Sequence, residues 1–403
     1  MKKMKIIFVN FGVGGYAGDS VSMITIIKGL ENKGHEVLLV TTDGDGYYDN
    51  KKRSEMYSPI RKKLLDNSNK IIKIDGISVY PVHCVSNRFG MYCPSAAKEA
   101  KKIIEKYDIV YIINWYYHLG MVFAKTSHEL GMPFIVGPMA SLEKNAQKIK
   151  KSRKSLLDKL YTDKMIKHVT GLHCVGEHER NSLLELGVDS KKIYLINNGI
   201  KKITKTVNDD TIFKKMKIDR QNNEYLITVG QINEKKGLDI LIRSFSQVIK
   251  DKKIKLVIVG TGEEKYVHKI KELVRKLGLD DVIIFSGFVT EEQKNQLLSN
   301  AKLFVSASRS DIHPIAAIEA LSFGLPVVIT EESDFPEVDT FQAGKTTKSN
   351  EISISNSIKD LLRNQEKLSV YSENAIKLVE EIFLLENQIE KYESMFSKVV
   401  SNK

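Results

Sequence analysis

Short apolar runs alternate with helix-length amphipathic stretches along nearly the whole chain. Lys5–Asn10 reads as a first strand, followed by the glycine-rich FGVGGYAG (Phe11–Gly18). A helix is predicted over roughly 20–33 and ends at Gly34, a residue suited to the left-handed position after a helix. Strands follow at Glu36–Val40, Asp108–Ile113, Pro133–Val136, Gly171–Val175 and Ile193–Ile196, with helices around 95–106, 116–131, 152–168 and 177–186. The segment 201–223 is polar, charged and aperiodic by comparison, and a domain boundary is expected within it. The rhythm restarts with strands at Glu224–Val229, Lys255–Val259, Val282–Phe285, Leu303–Ser306 and Pro326–Ile329, and beyond about 351 the pattern is helical. Strand–helix alternation of this kind predicts an α/β protein with two doubly wound, Rossmann-like parallel sheets. Their strand C-terminal ends would face a cleft fit for a ligand.

Composition narrows the class without naming the chemistry. A chain of 403 residues suits two domains, and 42% hydrophobic with 28% charged residues excludes a disordered or collagen-like chain. The longest uninterrupted apolar run is Ile109–Ile113, far short of the ~20 residues a membrane span needs. The opening MKKMKIIFVN has the charge of a signal peptide, but its apolar run stops at Val9, so a strand is the better reading. Cys84, Cys93 and Cys174 are odd in number and have no metal-ligand spacing, as expected of reduced thiols in the cytosol. Residues 1–200 hold 31 Lys and Arg against 20 Asp and Glu, so nearly all of the +12 net charge lies in the first half. Such a field favours an anionic partner: nucleic acid, an anionic membrane surface or a phosphorylated substrate.

The densest candidate chemistry is SRSDIHPIAAIEALSFGLPVV, Ser308–Val328. Pro314 fits the first turn of a helix predicted to stop at Gly324. The amides near Ile315 and Ala316 would then point out of its N-terminus, and unpaired N–H groups with the helix dipole suit a diphosphate. Asp311 precedes that point, and Glu319 on the helix can accept two hydroxyl hydrogen bonds, as from a ribose diol. An N-terminal acid stabilising its own helix, with one exposed Glu, would leave the same trace. In VGQINEKKGLDILIRSF, Val229–Phe245, a strand ends at Gly230 and a helix starts near Lys236 and Gly237, which places Lys236 to meet a phosphate.

The Ser308–Val328 stretch resembles the signature of family 4 of the retaining glycosyltransferases, the glycosyl transferases group 1, which have the GT-B fold. The family carries an acid, seven residues, a Glu, and an Ala and Gly-x-Pro-Val-Val ending; here Asp311 stands where most members have Glu, while Glu319 and the ending match. The family usually places Gly-Arg before Lys-Gly, with both cations on the donor diphosphate; Lys236 matches, and the Arg position is Gln231, which brings no charge. The resemblance implies that Gly14 and Gly15 of the first glycine-rich loop lie beside the donor sugar and phosphates. It also implies that backbone groups near Phe288 in SGFV (Ser286–Val289) face the base, and that a histidine such as His118 acts in the first domain. VGTGEE (Val259–Glu264) and His173–Ile200 resemble further family segments.

The implied protein is a retaining, metal-independent hexosyltransferase. It would move a sugar from a nucleotide-diphosphate-sugar donor to a hydroxyl of a glycan or lipid-linked glycan of a bacterial surface polysaccharide, capsule or lipopolysaccharide. Catalytic roles fall to Lys236, Asp311 and His118; substrate binding falls to Gly14, Gly15, Gln231, Phe288, Ile315, Ala316 and Glu319; no cofactor or metal is called for. The domains would be 1–203, rejoined by a helix at about 382–403 and holding the acceptor, and 204–381, holding the donor. Other functions on the same fold stay open: a non-catalytic nucleotide-sugar-binding or membrane-associated scaffold, and a sugar-phosphate synthase or an epimerase.

Two further features bear on partners. Lys144–Lys167 carries nine Lys and Arg against two acids, with Leu156, Leu157, Leu160, Tyr161 and Met165 at helical spacing. It reads either as a core helix with a solvated face or as an amphipathic helix on an anionic bilayer. The expected setting is therefore cytoplasmic, with the inner face of the cell membrane within reach. The aromatic interleaving of single-strand nucleic-acid binders is lacking, and no nucleic acid is expected. Asp43-Gly44-Asp45 matches a metal-binding D-x-D, but Asp-Gly in a turn after a strand is common for backbone reasons.

Overall fold

In the computed structural model the chain divides into two compact units, Met1–Gly199 with Leu385–Lys403, and Ile200–Leu384. The structure describes residues 2–13, 18–44, 59–85, 92–114, 116–139, 163–202, 210–219, 224–251 and 253–402. The glycine loop with Gly14 and Gly15, Asp45 and most of the basic segment Lys144–Lys167 lie outside them.

The first unit runs β1 (Lys5–Val9), α1 (Gly18–Asn32), β2 (Glu36–Thr42), β3 (Ile72–Ile74), β4 (Ile77–Val82), α2 (Ala96–Ile104), β5 (Ile109–Ile113), α3 (His118–Glu129), β6 (Phe134–Gly137), α4 (Asp163–His168), β7 (Gly171–Cys174), α5 (Glu177–Glu185) and β8 (Ile193–Leu195). Its sheet has the order β3-β4-β2-β1-β5-β6-β7-β8, with β3–β4 antiparallel and the other pairs parallel. The two-residue periodicity of the strands divides their side chains between two cores: Ile7, Val9, Val110 and Ile112 on one face, Ile6, Phe8, Ile109 and Tyr111 on the other. Burial on both faces explains why these strands are continuously apolar. The chain returns as α14 (Leu385–Ser401), and its Ile389, Tyr392, Phe396 and Val399 complete the second of these cores.

The second unit runs α6 (Thr211–Lys215), β9 (Tyr225–Val229), α7 (Leu238–Val248), β10 (Lys255–Val259), α8 (Glu264–Lys276), β11 (Ile283–Gly287), α9 (Glu291–Ser299), β12 (Leu303–Ser306), α10 (Ile315–Ser322), β13 (Val327–Thr330), α11 (Glu337–Thr340), β14 (Gly344–Thr347), α12 (Glu351–Arg363) and α13 (Gln365–Leu378). Its all-parallel sheet has the order β11-β10-β9-β12-β13-β14. The chain lays β9, β10 and β11 outward in one direction, then returns to place β12 against the other side of β9. The direction of winding therefore reverses between β9 and β12, the position at which doubly wound sheets usually bind a ligand.

The segment 201–223 is more than a spacer. Its residues 210–219 carry α6, and Ile212, Phe213, Met216 and Ile218 are buried in the core of the second unit. Burying an aliphatic or aromatic side chain contributes about 1.5–3 kcal/mol, so this piece is anchored. The lysines that surround those four residues hide the apolar face in any average over composition. Strands β3 and β4, absent from the expected set, form a hairpin at Asp75-Gly76, where both residues have positive φ (48° and 87°) as a tight hairpin turn requires.

A buried histidine couples the first unit to acidity. His173 lies wholly inside, with Tyr111 Oη 2.7 Å from Nδ1 and the Ile196 carbonyl oxygen 2.9 Å from Nε2. The carbonyl can only accept, so Nε2 carries the proton and Nδ1 accepts from the tyrosine. Burial drives the imidazole down to about 4 from its ordinary 6.5, against a smaller upward pull from the Ile196 carbonyl. The unfolded chain therefore takes up a proton first. Stability is complete above about pH 6.5 and falls as the pH drops through 4, by up to ~3 kcal/mol. Urea unfolding between those pH values should show this slope, and H173Q should flatten it; an unchanged slope in the variant would contradict the assignment.

Candidate functional site

The reversal point of the second sheet assembles the site. After β9 the chain turns through Gly230 into a 3-10 turn, Glu234–Lys236, whose Asn233 side chain accepts from the Lys236 amide at 3.2 Å. Gly237 follows with φ 61°, and a Cβ there would lie 1.9 Å from the Ala307 carbonyl oxygen. Only glycine permits both that conformation and that approach. The loop after β12 is thereby held against the loop after β9. Arg309 reinforces the contact: its amide donates to the Lys235 carbonyl at 2.8 Å, and its guanidinium donates to the Glu234 carbonyl at 2.7 Å and to both Asp239 oxygens at 2.9 and 2.7 Å. Partial burial pushes the Asp239 carboxyl up, but the hydrogen bonds and charge of Arg309 prevail and hold it below the usual range.

This clamp brings Lys236 and Asp311 together. The Lys236 ammonium pairs with Asp311 Oδ2, although the two are 75 residues apart in sequence. Both side chains retain some access to solvent, 28% for Lys236 and 16% for Asp311. The Asp311 amide donates to the Glu332 carbonyl at 2.8 Å, and the His313 amide donates to the Ser333 carbonyl at 3.2 Å, so the loop is tied to the end of β13. His313 is buried in a left-handed conformation, φ 40°, between Phe335 and Phe383, and its Nε2 lies 3.0 Å from Glu337 Oε2. Burial raises the Glu337 carboxyl, but the hydrogen bond and charge of His313 outweigh it and the net shift is downward.

Helix α10 opens directly after this loop. Pro314 is its N-cap, and the Pro314 carbonyl accepts from the amides of Ala317 and Ile318 at 2.8 and 3.2 Å. The amides of Ile315 and Ala316 find no backbone acceptor among the described residues, and both residues are only half-buried. Two donors at a positive helix end thus open the helix that follows the loop of Asp311, the carboxylate paired with Lys236. Glu319 stands on α10 one turn beyond Ala316. Its Oε1 pairs with Lys294 Nζ of α9 at 2.7 Å, both side chains being 20% exposed. Of the other expected residues, Gln231 is exposed with its Oε1 3.4 Å from Asn233 Nδ2, and Phe288 follows β11 and is 45% exposed.

In the first unit the winding reverses between β1 and β5. Asn114 leaves β5 with φ 67° and its Nδ2 lies 3.3 Å from Asn10 Oδ1, beyond the end of β1. His118 opens α3 just after that point. Its Nδ1 accepts from the Cys93 amide at 3.3 Å, it packs on the Tyr92 ring, and burial lowers its pKa from 6.5. Asp43 is fully buried, with oxygens on the Ser68 hydroxyl, His83 Nδ1 and the Cys84 amide at 2.6, 2.8 and 2.8 Å, which is a structural role. No cluster of His, Cys, Asp and Glu suited to a metal ion occurs among the described residues.

Comparison with known families settles the class. The model for Glycosyl transferases group 1 matches residues 209–378, and that for Glycosyltransferase Family 4 matches residues 16–202. The chain belongs to this glycosyltransferase family. An uncharacterized glycosyltransferase of Methanocaldococcus jannaschii is 25% identical over 348 residues, covering 81% of this chain and 79% of that protein. The alpha-monoglucosyldiacylglycerol synthase of Streptococcus pneumoniae is 26% identical over 324 residues, covering 77% and 67%. The glycosyltransferase has the GT-B fold: HepE of Anabaena, solved with UDP and glucose, superposes with TM-score 0.74 at 17% identity over 98% of this chain and 100% of that one.

Three residues of the glycosyltransferase were not foreseen. Lys294 is the counter-charge of Glu319, Arg309 clamps the two loops, and His313 fixes the strained turn before α10. Each acts across elements distant in sequence, where no spacing rule links the partners. The close approach at Gly237 is testable: G237A should lower stability by ~1–3 kcal/mol, read as a drop in thermal midpoint. A wild-type midpoint would contradict the packing at Ala307.

Proposed function

We propose that this glycosyltransferase transfers a sugar from a nucleoside-diphosphate-sugar donor to an acceptor hydroxyl with retention of configuration and without a metal ion. The observation that carries the reading is the Lys236–Asp311 pair, formed by the loops that leave the two strands of the winding reversal, with the amides of Ile315 and Ala316 at the start of the helix that follows. A diphosphate seated there would gain an ammonium and two oriented N–H donors as its charge develops on leaving, which is electrostatic stabilisation built in advance. It would compete with Asp311 for Lys236 and free the carboxylate to accept from sugar hydroxyls. Glu319, held by Lys294, would accept from the ribose diol, and the exposed ring and backbone at Phe288 would face the base. Retention follows the family resemblance.

The first unit would bind the acceptor, with His118 at its reversal point and Gly14 and Gly15 in the loop after β1. HepE was solved with UDP, and WaaG, a glycosyltransferase of lipopolysaccharide biosynthesis, superposes with TM-score 0.68 at 14% identity over 98% of this chain. These likenesses support a nucleotide-sugar donor and a glycan or lipid-linked acceptor of a bacterial surface polysaccharide. A cytoplasmic site of action, with contact to the inner membrane face through Lys144–Lys167, fits that role. No helix among the described residues is long and apolar enough to cross a membrane.

The deciding experiment compares variants in donor binding and turnover. Glu319→Ala should weaken nucleotide-sugar affinity at least about tenfold in calorimetry, the scale of lost hydrogen bonds to a charged acceptor; unchanged affinity would remove it from the ribose. Lys236→Ala should lower kcat by ~10²-fold or more, as for a lost oxyanion donor; full turnover would remove Lys236 from the site. Transfer should survive exhaustive chelation, and a strict requirement for added Mg²⁺ or Mn²⁺ would contradict the metal-free account.

A further inference from the structure

The first unit holds a cationic cavity at the end of its sheet opposite the winding reversal. It has a volume of about 400 Å³ and is lined by the residues that precede and begin β6, β7 and β8. These strands run parallel, so the cavity lies at their N-terminal ends, away from the C-terminal ends where a doubly wound sheet places its substrate. Four basic side chains line it: His128 from the last turn of α3, His168 from the last turn of α4, and Lys191 and Lys192 from the 3-10 turn before β8. Tyr194 adds a hydroxyl, the Thr170 hydroxyl being bonded to the Phe134 carbonyl and amide, and no Asp or Glu is among the described residues that line the cavity. The imidazoles of His128 and His168 are stacked, with centroids 3.8 Å apart and planes 22° from parallel.

The described carboxylates nearest in sequence to the lining residues on α3 and before β8 already have partners. On α3, Glu129 lies 3.8 Å from Lys125 and faces an existing cation. Before β8, Asp189 accepts from the Lys191 amide at 2.9 Å and closes the 3-10 turn. On α4 the sequence neighbour of His168 is another cation, Lys167, and the end of the chain lines the cavity with Val399 and Asn402. The Lys192 ammonium donates to the Val169 carbonyl at 3.0 Å, which holds it at the wall with hydrogen-bonding capacity to spare. Two imidazoles face to face repel once both are protonated, unless an anion sits beside them.

We infer that this cavity is a second anion site that takes a phosphate-bearing ligand, either a free phosphate or phosphomonoester or the headgroup of a phospholipid. Phosphate offers several acceptor oxygens to two ammonium groups and two ring N–H groups. The site is separate from the donor site and does not depend on the function proposed for it.

Calorimetry of the full chain with inorganic phosphate, alongside histidine-selective NMR, tests the inference. Binding should saturate at one phosphate per chain and weaken as salt is added. The His128 and His168 signals should move on addition, and both the shift and the affinity should be lost in K191Q/K192Q. H168Q, which leaves the Lys192–Val169 contact alone, should weaken binding as well. Sedimentation with phosphatidylcholine vesicles containing phosphatidic acid separates the sources: vesicle binding lost in K191Q/K192Q with no binding of free phosphate assigns a lipid headgroup, and binding of free phosphate assigns a soluble ligand. Absence of both, or binding that both variants retain unchanged, would overturn the proposal.

Discussion

The ion pair between Lys236 and Asp311 depends on a constraint of topology before it depends on charge. Two loops leaving neighbouring strands of a parallel sheet normally turn away to opposite faces where the strand order reverses. Here they are drawn back together by a glycine that lets one backbone touch the other and by an arginine that binds both. The arrangement holds a cation and an anion in partial contact with water, where a pair of charges is held only weakly. A buried pair of the same kind would be hard to open, since a separated charge would be left without solvent.

The same logic applies one turn along α10. Glu319 and Lys294 sit on two helices that pack side by side, and each keeps about a fifth of its surface exposed. The pairing to Lys294 engages one carboxylate oxygen, Oε1, and leaves the other without a partner in that pair. The free amides of Ile315 and Ala316 exist because Pro314 caps the helix through its carbonyl while offering no side-chain acceptor of its own. Asp or Ser at the cap would have supplied an acceptor to the second or third amide and closed the end to a ligand.

Much of this was visible in the sequence, for physical reasons that can be named. Asp311, Pro314 and Glu319 lie within one loop and two helical turns, so spacing alone puts them on one element, and Lys236 announces itself by the strand, glycine and helix around it. Lys294, Arg309 and His313 act between elements that only the folded sheet brings together. The buried face of residues 212–218 was obscured by interleaved lysines that dominate any average of composition. The hairpin of β3 and β4 carried an Asp-Gly turn between alternating residues, a usable mark that the strand–helix rhythm overshadowed. β14, Gly344–Thr347, is short and has little apolar content, and only its pairing with β13 makes it a strand.

The central claim is that the open end of α10 and Lys236 receive a diphosphate together. The most direct measurement is amide NMR of the Ile315 and Ala316 signals as a nucleoside diphosphate is added, in the wild type and in K236M. Both amides should move downfield in the wild type with a common dissociation constant, and the K236M titration should require a much higher concentration. Saturating binding that leaves these two amides unmoved, or that is indifferent to the loss of Lys236, would contradict the account.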